Sequence, residues 1–314
     1  MLRGLKTKGY RAYNWLLHLL YATPPRYRAG LFANFIGLQI LRTLVFEFGY
    51  RLRKIAFRRT NITSEALEHD GISVFEDFLS HEQMKELEFE ATQFLDNSTV
   101  TTDARPLTLT CNLHLIAKNG YRLVSKTFSR EFFEKSGLYD IVECFLKKRV
   151  RIPPRVYFIK QQYHTKDLGL PQQDYQDEPH FDIPFRSVKA ILYIGDTDDS
   201  NGAFNYARGS NRFTLQRLLG EYLHSIMSSK NKKTHRNPLQ GLKLSRFRAE
   251  SLGSVPGKKN TLIIFDARGV HRRGDFKTDH PRETIFIDFR DTDSWMNSIM
   301  AAPIMPRQLK KFGR

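Results

Sequence analysis

The chain has 314 residues, 40% of them apolar and 26% charged, with a formal net charge of +17. That balance excludes a disordered or fibrous polymer and leaves a folded protein with ample core, as one large domain or two small ones. Two cysteines, Cys111 and Cys144, are too few for a disulfide framework and form no CxxC pair; a reducing, cytoplasmic compartment fits best, with a single bridge left open.

The charge is unevenly placed. Residues 1–60 carry twelve Lys and Arg against one acidic residue, Glu47, whereas residues 61–103 carry eleven Asp and Glu against one Lys. The opening thirty residues mix cations with Trp15, Leu16, Leu17, Leu19 and Leu20, and Ala29–Tyr50 is strongly apolar but carries Arg42 and Glu47. A cleaved secretory leader fits poorly, because the run Trp15–Ala22 is short and contains His18. A membrane span fits poorly too, since Arg42 and Glu47 would each cost a few kcal/mol in a bilayer. Residues 1–62 are therefore expected to form a basic helical extension. It either packs on its own domain, lies on an anionic membrane through residues 1–60, or serves as an organelle-targeting segment.

The main domain is expected to begin near residue 66. Ile72–Phe75 alternates as a strand, and Ser80 is placed to cap a following helix with Gln83 as its capping-box partner. Further β-like runs lie at Arg151–Tyr163, Ser187–Gly195, Asn260–Asp266 and Glu283–Arg290. Several β runs without a repeating βαβ unit argue for an antiparallel barrel or jelly roll. Phe213–Ser225 is a helix candidate, and the basic stretch that follows, about 226–260, reads as the largest insertion and a lid. The domain runs to about residue 295, with a basic tail over 296–314.

Two segments carry chemistry. His180 and Asp182, two apart on a β-like segment, point to the same side, and His271 on a later strand can complete a triangle. Two imidazoles and a carboxylate suit iron(II) and leave adjacent positions open for a co-substrate and oxygen. Arg282, eleven residues after His271, can grip a carboxylate bidentately. 2-Oxoglutarate presents one, because its 1-carboxylate and keto oxygen chelate iron and the 5-carboxylate is left over. Tyr193, Lys160 and Gln162 are further candidates for the co-substrate pocket, Arg272 and Arg273 for an anionic substrate, and Asp266 for orienting a histidine.

Over residues 66–295 the sequence resembles the phytanoyl-CoA dioxygenase-like family of iron(II)/2-oxoglutarate oxygenases. The resemblance is carried by Gly71–Ser80, by Pro179-His-Phe-Asp182 with Pro184-Phe-Arg186, by Asn201–Asn211, and by His271 with Arg282. Arg208, Asn211 and Lys259-Asn260 depart from the family pattern at turn positions. The family fold is mainly β with flanking helices, a double-stranded β-helix (jelly roll, cupin-like). The resemblance implies hydroxylation of an unactivated C–H with release of succinate and CO2, and ascorbate as an auxiliary reductant. Because Asp182 is present, halogenation is disfavoured.

The substrate expected is a small molecule or a lipid or acyl chain, with an anionic thioester or phosphorylated glycan suiting the basic insertion by charge. Two alternatives stand beside the hydroxylase: a non-catalytic jelly-roll binding module, and a nucleic-acid-directed oxygenase. The excess positive charge alone suggests the latter, and no recognition motif supports it.

Overall fold

The structure is a computed structural model, and it describes residues 31–102, 106–117, 120–123, 125–150, 154–162, 178–230, 244–247 and 252–289. The expectations for residues 1–30 and for the tail over 296–314 lie outside the described residues.

Seven strands form the larger sheet, in the order β1 (Ile72–Phe75), β10 (Leu262–Asp266), β7 (Val188–Tyr193), β12 (Arg282–Phe289), β6 (Arg155–Gln162), β3 (Leu107–Asn112) and β2 (Thr99–Thr102). A smaller sheet runs β11 (His271–Arg273), β8 (Phe204–Ala207) and β9 (Leu252–Val255). The segment at His180 bridges antiparallel to His271 and extends that smaller sheet. All paired strands are antiparallel. From β6 onward the chain crosses between the sheets, so that β6, β12, β7 and β10 lie side by side opposite His180, β11, β8 and β9. That exchange of strands is the winding of a double-stranded β-helix, a jelly roll. The remaining hairpin pairs β4 (His114–Ala117) with β5 (Gly120–Leu123).

The larger sheet is covered on both faces. Between the sheets, Ile191, Tyr193, Phe204, Tyr206, Ile263 and Phe265 form one cluster. On the other face Phe158, Val188, Ile264, Ile285 and Ile287 pack against Met84, Leu87 and Phe94 of the helix His81–Asp96 and Leu138, Val142 and Phe145 of the helix Leu138–Leu146. Ser80 caps the first of these helices in a complete capping box with Gln83, as the spacing predicts.

Two differences from the sequence reading stand out. The helix Leu215–Lys230 is longer than expected, and Leu252–Val255, inside the stretch read as an insertion, is a strand of the smaller sheet. Four residues with an internal glycine give too weak a pattern to read as β. Beyond that strand, Lys258 and Lys259 hold Asp196 and Glu88 across a turn. Of the other basic residues of the insertion, Lys230 ends the helix and Arg246 lies in a short helical turn, Leu244–Phe247; those over 231–243 and 248–251 lie outside the described residues.

The helix Leu38–Ala56 is docked on the jelly roll. Thr43 donates to Glu221 at 2.7 Å, Arg268 reaches Glu47 at 3.3 Å, and the Tyr50 hydroxyl donates to Glu68 at 2.8 Å. Arg186 lies over the Tyr50 ring at 4.0 Å and Phe185 against Phe46 at 4.6 Å. The motif after the HxD thus anchors this helix.

Candidate metal centre

His180 and His271 face each other across the smaller sheet, each donating its amide N–H to the other's carbonyl at 3.0 and 2.9 Å. Directly opposed residues on antiparallel strands place their side chains on one face, and the two rings lie 4.6 Å apart. Asp182 follows two residues on, its amide donating to the Ala267 carbonyl at 3.0 Å. One donor atom from each of the three falls within 4.8 Å of the others. Residues 91 positions apart in the chain thereby form one cluster, through strand pairing alone.

The imidazoles are fixed in the orientation a metal needs. The His180 Nδ1 lies 2.7 Å from the Glu178 carbonyl and the His271 Nδ1 2.9 Å from the Gly269 carbonyl. A carbonyl only accepts, so both rings carry a proton on Nδ1, and Nε2 is the atom each ring can offer to a metal. Behind His271, Tyr206 stacks at 6.4 Å with its plane 12° off, and its hydroxyl donates to the Asp266 carbonyl. Gly269 is needed there, because a β-carbon would overlap the Tyr206 hydroxyl. The Asp182 carboxylate is held well below its usual range: burial pushes it up, but the Lys189 ammonium paired with it at 2.6 Å outweighs that. A set of two imidazoles and one ionised carboxylate fits a divalent transition metal.

A cavity of about 320 Å³ opens over this cluster. Arg282, at the start of β12, is buried on its wall and pairs in register with Gln161 of β6. Its Nη1 donates to Gln161 Oε1 at 3.3 Å, and Thr108 accepts from the other end of that amide, so the amide oxygen is turned toward the guanidinium. Arg282 Nε is buried without a hydrogen-bond partner. Burial, together with nearby Arg273, pulls the Arg282 pKa down. A desolvated guanidinium facing a neutral amide is suited to a carboxylate ligand.

Three expectations need correction. Lys160 and Gln162 do not line the cavity; Tyr157, Ile159 and Gln161 do, and Lys160 pairs with Glu283 at 2.8 Å. Strand alternation puts the odd-numbered residues of β6 inside and turns Val156 and Phe158 to the helix-covered core. Tyr193 is not a wall residue either. Its hydroxyl donates to the Val255 carbonyl and accepts from the Phe204 amide, tying the two sheets together, while its ring supports Arg282 at 5.8 Å. Asp266 touches neither histidine and accepts instead from the amides of Ser187 and Arg268, fixing the turn before His271.

Of the two arginines after His271, Arg272 pairs with Asp275 at 3.0 Å and Arg273 is buried, and both line the cavity. Lys189 and Gln161 were not foreseen as site residues. The inward parity that His180 and Asp182 share would have marked Gln161, had the register of β6 been known.

No family model and no curated protein matches the chain. Among solved structures it is similar to the epimerase SnoN in complex with Fe3+, alpha ketoglutarate and nogalamycin RO, at 14% identity over 72% of this chain and 81% of that one, with a TM-score of 0.49. It is also similar to EctD from S. alaskensis in its apoform (14% identity, 73% and 76% covered, TM-score 0.47). A third is HygX from Streptomyces hygroscopicus with nickel, 2-oxoglutarate and hygromycin B bound (12% identity, 73% and 86% covered, TM-score 0.40). Likenesses this distant carry no site assignment, and the site rests on its own geometry. Fold and site together define a jelly-roll protein with an inward-facing His–Asp–His cluster.

Proposed function

We propose that the protein is an iron(II)- and 2-oxoglutarate-dependent dioxygenase that hydroxylates an unactivated C–H of a small-molecule or lipid/acyl substrate, releasing succinate and CO2. The observation that carries this reading is the convergence of His180, Asp182 and His271 beneath a cavity whose wall holds the buried Arg282. The motifs at Gly71–Ser80, His180–Arg186 and His271–Arg282 support placement among the phytanoyl-CoA dioxygenase-like oxygenases. Bound together, iron and 2-oxoglutarate supply the oxidising power, coupled to oxidative decarboxylation of the 2-oxoacid.

The chain's own residues have separate roles. His180, Asp182 and His271 hold the metal from one side, and the Glu178 and Gly269 carbonyls keep both ring protons away from it. Lys189 keeps Asp182 ionised. Arg282 receives the distal carboxylate of the dicarboxylate, with Gln161 fixing its fork. Ile191, Phe204, Phe265 and Phe286 make the walls apolar and exclude water from the reacting centre. Ascorbate, as an auxiliary reductant, and a reducing cytoplasmic setting complete the proposal; the latter is supported by Cys111 and Cys144, two buried free thiols.

The test is succinate formation by iron-reconstituted protein given 2-oxoglutarate and air without added substrate. Succinate above the metal-free control, absent in His271→Ala, is the expected result. Production no greater than in the metal-free protein would leave a binding module instead.

A further inference from the structure

The helix Leu38–Ala56 is amphipathic with its two sides exchanged. At 100° per residue, Gln39, Arg42, Thr43 and Tyr50 fall on one side, and Leu41, Leu44, Phe48, Leu52 and Ile55 on the opposite one. The polar side, with Glu47 at its margin, is the buried one, through the contacts to Glu221, Arg268 and Glu68 described above. The apolar stripe is 44% to 80% exposed. Burial of an apolar stripe is the ordinary reason for a helix to dock on its own domain; here polar contacts dock it and the stripe faces outward. Phe32 and Phe35 of the preceding short helix, Leu31–Phe35, and Ile36 in the turn after it add three more exposed large apolar side chains.

The charge around the stripe points to its partner. Residues 31–60 hold six Lys and Arg and one acid, Glu47, and Glu47 is on the buried side. Arg51, Lys54 and Arg59 follow the stripe at its C-terminal end with side chains 67%, 53% and 59% exposed. Each also reaches a carboxylate on the domain side, and Arg58 beside them is exposed. By sequence, residues 1–30 add six more cations and no acid. No helix among the described residues is long and apolar enough to cross a membrane. An apolar stripe roughly 20 Å long (fifteen residues at 1.5 Å each), bordered by cations and laid along a docked helix, matches a bilayer surface with anionic headgroups.

We infer that this face seats the protein on an anionic lipid surface. The helix lies in the interfacial plane, with Leu41, Leu44, Phe48, Leu52 and Ile55 turned into the acyl boundary and Arg51 and Arg58 at the phosphates. The inference does not rest on the metal-site reading, and either can fail alone.

The experiment is co-sedimentation of the full chain with phosphatidylcholine vesicles, with and without phosphatidylserine. Wild type is expected to pellet with the phosphatidylserine vesicles, less so as salt rises. Phe48→Gln/Leu52→Gln should lower partitioning by at least roughly tenfold, since each lost apolar burial approaches a factor of ten. Its melting temperature should not change, both side chains being exposed. Arg51→Gln/Arg58→Gln should weaken binding only where phosphatidylserine is present. Equal pelleting of wild type and Phe48→Gln/Leu52→Gln overturns the inference, as does failure of the wild type to pellet with either vesicle. A wild-type dimer that becomes monomeric in that variant, with no change on vesicles, would also overturn it and make a second copy the occupant.

Discussion

Two regions of the molecule bury positive charge, and they do it in different ways. Where the helices Leu38–Ala56 and Leu215–Lys230 dock, two buried cations meet buried carboxylates: Arg217 meets Glu221 at 2.7 Å and Arg268 meets Glu47 at 3.3 Å. Arg217 also donates to the carbonyls of Ser210 and Arg268, so this network grips the turn that leads to His271. In the cavity, Arg282 is as well buried but its hydrogen-bond partner is the neutral amide of Gln161. A paired buried charge holds a structure in one arrangement, whereas a buried guanidinium facing an amide is complete only with an anionic ligand. The contrast separates scaffold from binding site without reference to any relative.

Breaking one partner of the docking network should give the largest effect. Arg217→Met leaves Glu221 buried without its cation and is expected to cost about 3–5 kcal/mol of unfolding free energy, measured by chemical denaturation. Arg282→Gln should do the reverse: stability holds or rises, while 2-oxoglutarate affinity falls by about 100-fold, equivalent to the loss of a desolvated charge pair. Calorimetry with 2-oxobutanoate, which lacks the distal carboxylate, should show little difference between wild type and this variant. A large drop in stability for Arg282→Gln would erase the distinction between the two regions.

Glu68 sharpens the docking side further. Burial raises its carboxyl, but hydrogen bonds from Lys54, Tyr50 and Lys147 outweigh that and lower it from 4.5 to about 2. Its folded value lies below its unfolded one, so its contribution is complete above pH 4.5 and is lost as pH falls toward 2. Glu68→Gln should therefore remove on the order of 1–3 kcal/mol at neutral pH. Denaturation curves of the variant should also vary less with pH across that window than those of wild type. The smallest effect is expected at Gly269. A methyl there pushes Tyr206 from behind His271, and Gly269→Ala should weaken metal binding by roughly tenfold, the scale of a lost supporting contact, read by competition with a chelating dye.

Much of the metal centre was legible because its signal is local or additive. The spacing of His180 and Asp182 needs only strand alternation, and His271 with Arg282 adds a second, independent pattern. The rest was hidden for physical reasons. β6 is covered on both faces, by helices on one and the cavity on the other, so apolar residues occur at both parities and nothing in the text ranks Gln161 above Lys160 or Gln162. The short strands β8, β9 and β11 carry three or four residues each, below the length at which periodicity speaks. The inverted helix was unreadable because the partners of its polar side, Glu221 and Arg268, lie 178 and 221 residues away.

Anaerobic titration of the metal-free protein with iron(II) in the presence of 2-oxoglutarate measures the central claim most directly, through the visible charge-transfer absorption of a chelated 2-oxoacid. The expected result is a saturable band for wild type at one metal per chain and none for His180→Ala. A wild-type titration that stays colourless, or an undiminished band in His180→Ala, would contradict it.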